Sequence, residues 1–92
     1  MTLSGGGKTL WRSGNLEIGG RQFIYEILLS EFPVKCGIFG GRIYGLYLYD
    51  ENDQLVAKYD RGWILLPPKG TDASEAIKII SREHNFERKR TA

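Results

Sequence analysis

With 41% hydrophobic and 12% aromatic content, the 92-residue chain has material for one hydrophobic core and therefore one domain. Thirteen Lys and Arg against eleven Asp and Glu leave a net charge of +2, which excludes the strongly basic footprint of a dedicated nucleic-acid binder. One cysteine, Cys36, and one histidine, His84, exclude an internal disulfide and a Cys/His zinc site of the usual four-ligand type. A reducing cytosol fits that usage, and with no apolar run near the ~18 residues of a spanning helix and no apolar leader, a soluble, unsecreted protein is expected.

In chain order, residues 1–8 read as a Gly/Ser-rich leader, which composition predicts to be flexible. The GGGKT within it has the ending of a phosphate-binding loop but not its first glycine, its preceding strand or its following helix, and so is no nucleotide signature. The single domain is expected over residues 9–86. Thr9 to Ile18 and Arg21 to Ser30 alternate in polarity on either side of Gly19-Gly20, a pair that accepts the positive φ angles of a two-residue hairpin turn. Setting Ile18 opposite Arg21 puts Leu10, Leu16, Ile18, Phe23, Tyr25, Ile27 and Leu29 on one face, with Trp11, Ile24 and Leu28 as a smaller apolar patch on the other. Ser13-Gly14-Asn15 predicts a break or bulge in the first strand.

Glu31 to Gly41 contains Pro33 and three glycines and reads as an irregular link. Consecutive N–H groups at Gly40-Gly41 can form an anion-binding nest beside Arg42, although glycines there also serve simply to turn the chain. Tyr44 to Trp63 holds two alternating runs around Asp50-Glu51-Asn52-Asp53, the pattern of a second hairpin with a four-residue connection. Pairing Tyr49 with Gln54 aligns Tyr44, Leu46, Leu48, Leu55, Ala57 and Tyr59 on the buried face and Tyr47, Tyr49 and Val56 on the open one. Thr71 or Asp72 starts the one convincing helix, with Asp72 and Glu75 spaced as in a capping box and Ala73, Ala76, Ile77, Ile80 and His84 on one stripe. The fold class is therefore α+β: a four-stranded antiparallel meander of two hairpins, with a C-terminal helix packed on one face. Residues 87–92 form a basic tail in which Arg88-Lys89-Arg90 offers a weak nucleic-acid contact.

Tyr59-Asp60-Arg61-Gly62-Trp63 is the densest group of functional side-chain types: a guanidinium fork for phosphate or carboxylate, a carboxylate and an indole. The second hairpin's register brings Arg42 close to Asp60, which yields either a ligand site or a structural ion pair with Trp63 in the core. The candidate ligand-binding residues are therefore Gly40, Gly41, Arg42, Tyr59, Asp60, Arg61 and Trp63. No catalytic residue, metal ligand or cofactor site is assigned; a small hydrolase or nuclease would have to use Asp60 with Glu26 or His84.

GIFGGRI at Gly37 to Ile43, then YDRGW at Tyr59 to Trp63, then a proline-containing link into one helix, resembles a small domain family of bacteriophages and prophages of Gram-positive bacteria. The resemblance runs from Trp11 to the helix. It implies a compact domain acting in the bacterial cytoplasm with no assigned catalytic activity. The chain departs from that pattern at Tyr44-Gly45-Leu46, where Ser-Lys-Leu would stand, and at Ile64, where an acid would. The expected function is a non-enzymatic accessory module that self-associates through Tyr47, Tyr49 and Val56. Its partner would be a host protein or a small anionic, nucleotide-like ligand, bound through Arg42, Arg61 and Trp63.

Overall fold

The computed structural model describes residues 9–85; the expected leader and basic tail lie outside them. Five strands, β1 (Thr9–Ile18), β2 (Arg21–Ser30), β3 (Ile43–Tyr49), β4 (Leu55–Asp60) and β5 (Trp63–Leu65), precede one helix, α1 (Asp72–His84). They form a single antiparallel sheet in the order β1-β2-β3-β4-β5, so each strand pairs with its neighbour in sequence. The α+β class stands as expected, but the sheet has five strands and not four. Three residues carry too little alternation to announce β5, and its link to β4 is only Arg61-Gly62, with Arg61 rather than glycine at positive φ.

The first hairpin has the expected register, with Ile18 opposite Arg21, and Gly19 and Gly20 take φ 58 and 83 in the turn. The expected break at Ser13-Gly14-Asn15 is absent, since pairing runs without a shift from Thr9↔Ser30 to Ile18↔Arg21. Gly14 is there for space. The Tyr25 ring lies across it, and a Cβ at Gly14 would meet the Tyr25 hydroxyl.

The second hairpin departs from expectation by two residues: Leu48 faces Ala57 and Gly45 faces Asp60. Asp50 is the cause. Its buried carboxylate accepts from Asn52 N (2.8 Å) and Gln54 N (3.0 Å), which winds Asp50–Gln54 into a five-residue connection with Asp53 at φ 65. A shift of two preserves the alternation of faces, so Leu46, Leu48, Ala57 and Tyr59 are buried as expected. At each end a bulge exchanges one residue. Pairing skips Tyr44 between Leu28↔Gly45 and Leu29↔Ile43, and Ile43 takes the core position expected of Tyr44. Pairing likewise skips Val56, which packs against the core while Leu55 is exposed, the reverse of expectation.

Phe23, Ile27, Leu29, Ile43, Leu46 and Leu48 are fully buried on one face of the sheet, with Ile38 from the β2–β3 link and Ala76, Ile77 and Ile80 from α1. Each such aliphatic side chain contributes about 1.5–3 kcal/mol when fully buried. The helix is capped by Thr71, whose hydroxyl accepts from Ser74 N at 3.2 Å; Asp72 and Glu75 lie in its first turn and not in a capping box. The buried stripe ends on Ser81, while His84, expected on it, is half-buried.

Candidate functional site

The β2–β3 link is wound tightly. Gly40 N donates to Gly37 O and Gly41 N to Ile38 O, each at about 3 Å, and Phe39 and Gly40 both have positive φ, as the central pair of a type I′ turn does. Gly37 and Gly41 are packed so closely that a Cβ on Gly37 would run into Gly41 O, and one on Gly41 into the Asn85 side chain. Asn85, fully buried just past α1, donates from Nδ2 to Ile38 O (2.6 Å) and accepts at Oδ1 from Ile43 N (2.9 Å). One side-chain amide thus ties the turn, the start of β3 and the end of the helix together.

The residues expected to form an anion site are distributed around this frame. The amides of Gly40 and Gly41 are engaged within the turn and so are not turned outward as a nest. Arg42 is half-buried; its Nε donates to Ser30 O at 2.9 Å, while its own carbonyl accepts from Ser30 N. Asp60 lies opposite Gly45, three residues along the chain from Arg42, and its carboxylate holds the guanidinium of Arg61 at 3.1 Å on the exposed rim. Such an exposed pair contributes less than about 1 kcal/mol. Tyr59 and Trp63 do meet, edge to face with centroids 4.9 Å apart, on the core side of the sheet, where the Tyr59 hydroxyl donates to Cys36 O at 2.7 Å.

The acid–base candidates are also separated. His84 Nε2 lies 3.2 Å from the Tyr25 hydroxyl on the helix-covered face. Glu26 and Asp60 lie on the opposite face, on β2 and β4 and two residues apart along the strands, which puts their backbones roughly 12 Å from each other. Among the described residues no three His, Cys, Asp or Glu are grouped to hold a metal ion.

Two surfaces remain. The first is the sheet face turned away from α1: Trp11, Ile24 and Leu65 are 62%, 49% and 41% exposed, around half-buried Leu28, Tyr47 and Tyr49. Its middle row reads Ser13, Glu26, Tyr47, Lys58, Leu65 across the five strands. Lys58 Nζ stands 5.6 Å from the centre of the Tyr47 ring. The second is a shallow groove between the β2–β3 turn and α1, lined by Phe39, Lys78, Ser81 and Arg82. None of these four was singled out in the sequence. The available signals were an aromatic residue inside a glycine turn and two cations four residues apart on a helix.

These features define a small α+β domain of one antiparallel sheet and one helix, with an apolar sheet face that the described residues leave uncovered. The chain belongs to the family described as Domain of unknown function (DUF7678), which matches residues 10–85. No curated protein and no solved structure matches it. Among the described residues no helix is long and apolar enough to cross a membrane.

Proposed function

We propose that this is a non-enzymatic binding module that assembles with a second copy of itself through the uncovered sheet face, in the phage or prophage accessory setting that its motifs suggest. The observation that carries the reading is the face itself. A Trp, an Ile and a Leu stand exposed on the same face as two tyrosines, and among the described residues only the other side of the sheet is covered. Large apolar side chains gathered on one exposed face, here on either side of a charged middle row, mark an interaction site.

Charge selects the occupant. Glu26 and Lys58 flank Tyr47 in one row, on β2 and β4. A two-fold axis running along β3 lays the β2 of one copy over the β4 of the other, so Glu26 meets Lys58 twice while the Tyr47 rings face each other at the centre. The interface is isologous and closes at two copies, in the aligned sheet-on-sheet arrangement of a β-sandwich. Of the three residues expected to mediate self-association, Tyr47 and Tyr49 lie on this face, whereas Val56 packs against the core and Leu55 and Leu65 stand in its place.

Sedimentation equilibrium of the untagged protein tests this directly: the expected mass is twice the 10.4 kDa of the chain. A monomer at tens of micromolar would sink the proposal.

A further inference from the structure

The groove beside α1 combines features that neither the core nor the sheet face requires. It is a shallow, open groove of about 270 Å³, just under the roughly 300–1,000 Å³ of small-molecule sites. Phe39 is 70% exposed and sits at φ 55, ψ 30, a left-handed conformation uncommon for a bulky residue. Strain of this kind persists where surrounding structure imposes it, and it concentrates at ligand sites. Here Asn85 and the close packing of Gly37 and Gly41 impose it, and the result is an apolar ring presented to solvent.

Lys78 and Arg82 lie one helical turn apart on the same side of α1, both exposed. Neither takes part in an ion pair or hydrogen bond among the described residues. Ser81 between them is only 4% exposed, and its buried Oγ has no hydrogen-bond partner among those residues. A buried polar atom left in this way is normally satisfied by something. Among the described residues no acid lines the groove, and two full positive charges outweigh the roughly half negative charge of a helix C-terminus.

We propose that this groove binds a small free nucleotide. The base stacks on Phe39, and the phosphate takes Lys78 and Arg82 together. Every base offers a face for stacking, and paired cations supply charge-assisted bonds to phosphate oxygens. The site shares no residue with the sheet face, so either proposal can fail without the other.

Titration of the untagged protein with adenosine and guanosine monophosphates, the matching nucleosides and inorganic phosphate, followed by NMR, tests it. At least one nucleotide is expected to bind roughly tenfold or more tightly than its nucleoside or phosphate alone, because each lacks one half of the contact. Phe39→Gly is expected to stay folded with a raised melting temperature while binding roughly tenfold more weakly or worse. The exposed double variant Lys78→Ala/Arg82→Ala is expected to lose the preference for nucleotide over nucleoside. Absence of nucleotide binding, or full binding by Phe39→Gly, overturns the assignment. So does tighter binding of a single-stranded tetranucleotide, which would point to a nucleic-acid strand instead.

Discussion

Asn85 closes directly onto Gly41, so that the end of the helix and the start of β3 pack together with no room for a side chain at position 41. The same amide accepts from Ile43 N and gives Ile38 O, already paired with Gly41 N, its second hydrogen bond. Asn85→Ala leaves Ile43 N buried and unsatisfied and takes from Ile38 O one of its two donors, and is expected to cost about 1–3 kcal/mol. Gly41→Ala fails differently, by pushing Asn85 away, and should cost about as much. Urea unfolding of the two single variants and the double variant gives the coupling. If the double variant is as costly as the two singles summed, the residues act separately and the latch is refuted.

Gly14 makes room for the Tyr25 ring from within an otherwise regular strand. Gly14→Val raises strand propensity but drives the ring, which carries the hydrogen bond to His84, out of place. Sterics outweigh propensity, and the variant is expected to be about 1–3 kcal/mol less stable than the parent. A more stable Gly14→Val protein, measured by thermal melting, would show that the ring has room elsewhere.

Alkaline pH should weaken the fold through two phenols. Burial pushes Tyr25 above its ordinary 10.0, with the charge of Glu83 adding to the shift and Arg12 opposing it. Burial also pushes Tyr59 up, assisted by Cys36. In both, the folded chain holds its proton more tightly than the unfolded one, so the associated stability is present below about pH 10 and lost as pH rises through the folded values. Melting temperature should be level up to about pH 9.5 and fall beyond it, with the fall reduced in Tyr25→Phe and Tyr59→Phe. Tyrosinate absorbance followed during the same titration decides the matter, since ionisation of every tyrosine before any loss of structure contradicts the prediction.

The sheet-face dimer predicts a charge swap. Lys58→Glu places two acids against each other at both symmetry-related contacts and should give a monomer; Glu26→Lys should do the same with two cations. The double variant Glu26→Lys/Lys58→Glu restores opposite charges and should recover the dimer. Light scattering on the four proteins is sufficient. A Lys58→Glu protein that dimerises as strongly as the parent removes the proposed pairing.

The register of the first hairpin was legible from its turn, because Gly19-Gly20 admits a two-residue turn that sets the later pairs, but the bulge expected at Ser13-Gly14-Asn15 was not there. The second was legible only as to faces. Asp50 folds its own side chain into the connection, and a side-chain hydrogen bond that adds a residue to a loop leaves no periodic trace. The bulges at Tyr44 and Val56 are equally silent, since a single extra residue changes which neighbour is buried without changing composition. The proposed meeting of Arg42 with Asp60 depended on that register, and a shift of two residues was enough to place Asp60 opposite Gly45.

The pattern of apolar residues along the chain was by itself sufficient for the α+β class, the buried face of each hairpin and the amphipathic helix, because periods of two and of 3.6 are local properties of strands and helices. Contacts between distant positions were decided only in three dimensions: Asn85 lies 42 residues from Ile43, yet it sets the turn that exposes Phe39 beside Lys78 and Arg82. Hydrogen bonds and close packing across such separations depend on where the helix comes to rest on the sheet, and no repeat in the sequence encodes that position.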